Sequence, residues 1–250
     1  MISVTILTKN SQETLAATLE SLKDFPEVLV VDTGSTDSTI SIASGYPNVR
    51  IFHIDFKGFG RTHNAASNLA TSEWILSIDS DEILSKELAQ EILSLTLDPH
   101  TVYPILRHNF FNGKRILWCG GWHPDWVTRL YNRRITHFNN VEVHEKIIDE
   151  DMKKVHLNHP LYHTPYREMS DFLNKMQTYS TLFAREHRHK KQASLIKAIL
   201  HSWFAFIKSY IFKRGFLGGK EGFIISLYNG HTAFYKYLKL AELNQNLPKK

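Results

Sequence analysis

Apolar positions in the first hundred residues fall into short runs, each followed by a stretch with helical spacing. Ile2–Thr8, Val28–Val31, Val49–Ile54 and Trp74–Ile78 are rich in β-branched and aromatic residues and predict four strands. Behind the first, Asn10 precedes Leu15, Leu19 and Leu22, which share one helical face, with Glu13 at the capping-box position; this predicts a helix capped by Asn10. Thr39–Ala43, Arg61–Ala70 and Ser85–Leu95 predict further helices, the last capped by Ser85. Short, nearly continuous apolar strands alternating with helices predict an α/β class: a Rossmann-like, mostly parallel sheet flanked by helices on both faces. In such sheets ligands collect at the carboxyl ends of the strands.

After residue 100 the pattern changes. Short strand-like pieces (Val102–Leu106, Val127–Leu130, Val141–Val143) sit among aromatic, Arg and His residues and predict an irregular second half that completes a site. From Glu168 onward the spacing is helical. Phe172, Met176, Tyr179 and Phe183 recur at core spacing, and the four glycines of 215–222 mark a bend between helices. The expected division is 1–165, with halves 1–100 and 101–165, followed by a C-terminal helical extension, 166–250.

Composition is that of an ordinary globular chain: 250 residues, 42% hydrophobic. A single cysteine, Cys119, excludes a disulfide framework within it and points to a reducing compartment. The start, MISVTILTKN, lacks a basic segment and a long apolar one, so no signal peptide is expected. Net charge changes the picture. Residues 167–250 hold 15 Lys+Arg against 5 Asp+Glu, while the remainder is acidic. A basic tail of this kind suits an anionic surface. No nucleic-acid module is present, so nucleic acid is not expected as a partner. Leu195–Phe212 is apolar and aromatic but interrupted by Lys197, His201 and Lys208, and falls short of the ~20 clean residues of a bilayer span. It predicts either a helix lying in the headgroup plane of a membrane or a helix buried against the body.

The chemistry gathers at the strand ends. Strand one ends at Thr8-Lys9-Asn10, strand two at Asp32, strand four at Asp79-Ser80-Asp81. Parallel strands put these ends on one edge, where several carboxylates repel unless a cation lies between them. A hard divalent ion, Mg²⁺ or Mn²⁺, is the natural candidate, one carboxylate taking the ion while the other supports it or holds a sugar hydroxyl. Asp32 is placed to accept from a base or ribose. Gly58-x-Gly60 lacks the third glycine of a dinucleotide fingerprint, His63 standing in its place, which argues against a dehydrogenase. Arg61 and Asn64, about one turn apart, are placed to face a nucleotide. Arg129, Arg133 and Arg134 form a cationic cluster suited to phosphate or acidic sugars. His144 and His163 are candidate metal, diphosphate or acceptor contacts, or packing residues.

Taken in order, "ILTKN", "VVDTGSTDST", "GFGRTHNAA" and "SIDSDE" resemble the family 2 glycosyltransferases of the GT-A fold over residues 1–100. "WVTRLYNRR", "VEVHEKI" and "FKRGFLGGKEGF" resemble more loosely the bacterial branch that adds glucose to the inner core of lipopolysaccharide. The resemblance implies inverting transfer of a sugar, glucose or another hexose, from a UDP-sugar to a lipid-linked saccharide. It implies nucleotide contacts from Thr8, Asn10, Asp32 and Arg61, a D-x-D pair in Asp79 and Asp81 with Asp81 on the metal, and Glu145 as catalytic base, Glu142 being its rival. Residues 1–100 would bind the nucleotide and 101–165 the acceptor. The expected setting is cytoplasmic, peripheral on the inner face of the cell membrane. Other family 2 acceptors (polysaccharide, protein, another lipid) and a non-catalytic sugar-nucleotide-binding protein are the alternatives.

Overall fold

Four parallel strands ending level with one another are what this architecture is built around. The structure, a computed structural model, describes residues 1–118, 122–140, 145–166 and 168–245. Cys119, Glu142, His144 and the expected strand Val141–Val143 lie outside those residues. Two units are distinguishable: residues 1–108 with 125–163, and residues 109–124 with 164–250.

The first unit runs β1 (Ile2–Thr8), α1 (Leu15–Glu20), β2 (Glu27–Asp32), α2 (Thr39–Ala43), β3 (Val49–His53), α3 (Phe59–Leu69), β4 (Trp74–Asp79), β5 (Glu82–Leu84), α4 (Lys86–Ser94) and β6 (Thr101–Phe111). After β7 (Lys114–Arg115), which belongs to the second unit, come β8 (Trp126–Asn132), β9 (Lys153–Lys154) and β10 (Leu161–His163). The sheet order is β3-β2-β1-β4-β8-β6-β10-β5, with β7 and β9 pairing alongside β6. β3, β2, β1 and β4 are parallel, and β8 turns the sheet antiparallel.

Alternation along the strands makes the two cores. Val28 and Val30 of β2 join Ile6, Leu76 and the α1 and α4 residues Leu19 and Leu88 on one face. Leu29 and Val31 join Ala66 of α3 and Tyr131 of β8 on the other. Burial on both faces is why these strands are continuously apolar.

The helix ends differ in part from expectation. Ser85 caps α4, its Oγ accepting from Leu88 N at 3.1 Å. Asn10 does not cap α1, which begins at Leu15. Asn10 instead adopts φ 53° and turns its side chain toward residue 36. α3 starts at Phe59, two residues before Arg61, behind Gly58 at φ 92°.

The second unit holds α5 (Met169–His187), α6 (Leu195–Ile207) and α7 (Gly219–Gln245). Glu168 and Asp171 form a reciprocal capping box at the start of α5. The expected boundary at residue 165 needs an amendment, because residues 109–124 belong here. Phe111 and Ile116 are buried with Tyr166, Phe172 and Ile225 in one cluster, and the Tyr166 and Phe172 rings stack at 3.9 Å. β6 is long enough to leave one core and supply aromatic side chains to another.

At the amino-terminal edge of the sheet Glu27 ties four segments together. Its buried carboxylate accepts from Ser3 Oγ of β1, from Thr71 N and Oγ1 at 3.0 and 2.8 Å, and from the half-exposed Arg50 of β3. Burial raises its pKa, but the hydrogen bonds from Ser3, Thr71 and Arg50 prevail and hold it low. A depressed carboxylate pKa stabilises the fold above the ordinary glutamate value and ceases to do so as pH falls through the folded value. Glu27→Ala is therefore expected to lower stability by about 2 kcal/mol or more in thermal unfolding at neutral pH. The difference from wild type should shrink in acid.

Candidate active site

Register fixes the working edge. Thr8 pairs with Asp32, Leu7 with Asp79, and Asp32 with His53, so the carboxyl ends of β1, β2, β3 and β4 are level. β1 lies between β2 and β4, which is where connections change direction and an α/β sheet opens a crevice.

The first two motifs build one another. Asp32 is buried, and its carboxylate accepts from Gly34 N and Ser35 N at 3.1 Å, from Ser35 Oγ, and faces His53 Nδ1 at 3.3 Å. Burial raises its pKa, but these donors outweigh that and hold it low. Asn10 Oδ1 accepts from Thr36 N at 2.8 Å, and Asn10 N donates to Ser35 Oγ at 2.9 Å. Asn10 and Asp32 thus shape the 33–36 loop in this structure. Thr8 is buried at the same edge, and among the described residues its Oγ1 has no hydrogen-bond partner.

Asp79-Ser80-Asp81 is held by its middle residue. Ser80 Oγ lies 2.9 Å from Ser11 Oγ, and Ser80 O accepts from Thr18 Oγ1 at 3.1 Å. With Ser80 anchored to the α1 side, its two neighbours make different contacts. Asp79 meets Arg129 Nη2 directly and Arg107 Nη1 at 3.9 Å. Asp81 Oδ2 lies 3.5 Å from His163 Nε2. That approach follows from topology: β10 runs antiparallel to β5, and His163 pairs with Glu82.

Sequence reasoning missed the centre of the network. Glu82, fully buried, accepts from Arg129 Nη2 and from Arg107 Nη1 at 2.8 Å, and its other oxygen accepts from Asp79 N at 3.0 Å. Arg107 Nε reaches Asp125 Oδ2 at 2.8 Å. Burial works against ionisation of Asp79, yet Arg129, with Arg107 behind it, holds its carboxyl well below the usual range. A signal was present in "SIDSDE": a third acid buried at a strand end demands a buried cation, and Arg107 and Arg129 were the available ones.

Arg129 is accordingly not an outward phosphate contact here. It precedes Leu130, which pairs with Leu76 of β4, so its guanidinium turns in beneath the strand end. The expected three-arginine cluster disperses as well. Arg133 donates to the carbonyls of Ser72 and Ala70, and the exposed Arg134 pairs with Glu73 at 3.4 Å. Asn64 is also corrected: its amide bonds the backbone of Phe138 at both ends, each at 2.9 Å, pinning the chain and not facing a nucleotide. Arg61, by contrast, is exposed on the first turn of α3, and among the described residues it has no ion-pair partner.

Glu145 comes to the same place. Its Oε1 lies 3.9 Å from His63 Nε2. His63 is buried on α3, stacked on Phe138 at 4.4 Å, with Nδ1 3.2 Å from Ser77 Oγ of β4. Burial lowers its pKa to about 4, so the imidazole is neutral at pH 7 and its contact with Glu145 is dipolar, not an ion pair. Burial, with nearby Asp79 adding to it, raises the pKa of Glu145. His144 lies outside the described residues.

Among the side chains joined here, three carboxylates, Asp79, Glu82 and Asp125, meet two guanidiniums, Arg107 and Arg129, and a fourth, Asp81, lies beside His163. The excess negative charge and the pairing of a carboxylate with an imidazole at Asp81 and His163 fit a divalent cation that also takes phosphate oxygens. Among the described residues no cluster of three or more acidic, His or Cys ligands is preassembled.

Comparison with known proteins identifies the family and the fold. The model of "Glycosyl transferase family 2" matches residues 3–150, more than half of the chain. An uncharacterized glycosyltransferase of Rickettsia felis is 30% identical, the alignment covering 99% of this chain and 91% of that protein. The lipopolysaccharide core biosynthesis glycosyltransferase LpsC of Rhizobium meliloti is 26% identical over 98% of this chain and 92% of its own length. Among solved structures, the mannosyltransferase PcManGT of Pyrobaculum calidifontis, in complex with GDP-Man and Mn²⁺, has the same fold. Its TM-score is 0.55 at 16% identity, over 94% of this chain and 86% of that one. The level strand ends and their carboxylates thus stand on a GT-A fold, and the chain belongs to glycosyl transferase family 2.

Proposed function

We propose that this glycosyltransferase moves a hexose from a UDP-sugar to a lipid-linked saccharide of the lipopolysaccharide-core type, with inversion at the anomeric carbon. The observation that carries the proposal is the convergence of Glu145 with the Asp79–Arg129 network at one strand edge. The donor assignment draws on the resemblance of the strand-end motifs, and the acceptor class on the similarity to LpsC over nearly the whole chain.

Inverting transfer is a single in-line displacement and needs one base. Glu145 accepts the proton of the attacking hydroxyl. Its environment favours that task. A protonated imidazole 3.9 Å away would pull its pKa down, whereas the neutral His63 leaves the carboxylate basic. Arg107 and Arg129 keep Asp79 ionised and fixed without placing a mobile cation against the base. Asp81, with His163 beside it, would hold a divalent ion. When bound, that ion supplies Lewis-acid neutralisation of charge on the departing diphosphate.

Glu145→Gln should lower kcat by ~10²–10⁴-fold in a radiolabelled-sugar transfer assay while UDP binding is retained. In wild type kcat/KM should rise with pH through a pKa above the ordinary glutamate value, because the ionised form is the active one. The variant should lose that limb. Full activity in Glu145→Gln would move the base elsewhere, and donor binding without turnover in wild type would leave a sugar-nucleotide-binding protein. For the metal, thermal shift with UDP should increase when Mn²⁺ is added, by ~2.7 kcal/mol at a hundredfold excess over Kd. Asp81→Ala should remove the Mn²⁺-dependent increment alone.

A further inference from the structure

Helix α6 is packed inside out. Its contacts with α7 run through His201, whose ring stacks on Tyr237 at 3.8 Å, Ser202 and Phe206, and continue just past its end at the buried Ser209. α7 answers with Ser226 and Gly230, both buried. Ser209 Oγ lies 3.0 Å from Ser226 Oγ and accepts from Asn229 Nδ2 at 3.0 Å. A Cβ on Gly230 would come within 3.3 Å of Ser202 O, so the glycine is what lets the helices approach. Phe206 turns toward Phe223 of α7, their ring centroids 6.0 Å apart, but most of the large apolar side chains are left outside. Ile196, Leu200, Trp203, Phe204 and Phe212 are each more than 60% exposed. A window over Leu195–Phe212 has the length and hydropathy of a bilayer span, yet only 11% of it is buried.

In water a helix gains by burying its large apolar residues. A contact centred on glycine and bonded hydroxyls, with most of the large apolar residues outside, is the packing expected where the surroundings are as apolar as the side chains. The polar residues identify which part of such a medium. Lys197 and Lys208 are exposed, with Lys190 and Lys191 before the helix and Lys213 and Arg214 after it. A spanning helix would carry Lys197 and Lys208 through the acyl region; a helix lying flat leaves them among the headgroups. A symmetric second copy is the poorer occupant, since it would set the same basic patch against itself.

We infer that α6 is an interfacial anchor that lies in the plane of an anionic lipid surface, its Ile196–Leu200–Trp203–Phe204 face in the acyl boundary and its lysines on the headgroups. None of these residues has a role in the transfer reaction proposed above. The full chain should float with vesicles of phosphatidylcholine mixed with phosphatidylglycerol, bind vesicles of phosphatidylcholine alone far more weakly, and be released by salt. Tryptophan emission should shift to the blue on binding, and Trp203→Phe should bind while losing that shift. Lys197→Gln and Lys208→Gln should each weaken partitioning about fivefold. Leu200→Ser combined with Phe204→Ser should abolish binding with an unchanged Tm. Equal partitioning onto both vesicle types, or none onto either, overturns the inference. So does a lipid-free dimer, seen in sedimentation equilibrium, that the double serine variant dissolves.

Discussion

The guanidinium of Arg129, closed in between Asp79 and Glu82, is the interaction on which the site depends. Two carboxylates three residues apart at a strand end, one of them fully buried, cannot both stay ionised without a counter-charge inside the protein. Arg129 supplies it from β8, the first antiparallel strand beyond the parallel set, and Arg107 adds a second from β6. The antiparallel half therefore does more than extend the sheet. It delivers the cations that hold Asp79, at the end of the parallel set, and Glu82 of β5 in place.

This division explains what the sequence disclosed. The parallel strands were legible because burial on both faces leaves an apolar run ended by a polar residue, and Thr8, Asp32 and Asp79 do stand level in register. The partners of those polar residues were not legible. Asn64 joins Phe138, and Glu82 joins Arg107 and Arg129, across separations that no local pattern encodes. Asn10 had the chemistry of a helix cap, but a loop 26 residues away offered its side chain a better set of donors. Local propensity lost each time to a tertiary hydrogen bond.

The C-terminal helices give the converse lesson. The apolar run from Leu195 was plain, and so were the lysines that interrupt it, but sequence alone left a buried helix and a surface helix both open. The deciding feature is the contact with α7. Ser202 and Ser209 carry little hydrophobic weight in any sequence pattern, yet they meet Gly230 and Ser226 while Ile196, Leu200, Trp203 and Phe204 stay exposed.

Within the active site, two carboxylates are driven in opposite directions by their surroundings. Asp79 is held ionised by Arg129 and Arg107; Glu145, half enclosed beside the neutral His63, is pushed toward its protonated form by burial and by the charge of Asp79 itself. Paired acids whose environments separate their affinities for protons are how one site assigns different tasks to the same functional group. Asp79 has the environment of a permanent charge, which can orient but not exchange a proton. Glu145 has the environment of a base, whose proton affinity rises as Asp79 stays charged. In the role proposed for Glu145 the arginine bridge therefore works both ways: by keeping Asp79 anionic it raises the proton affinity of Glu145, while the charge of Arg129 itself lowers it.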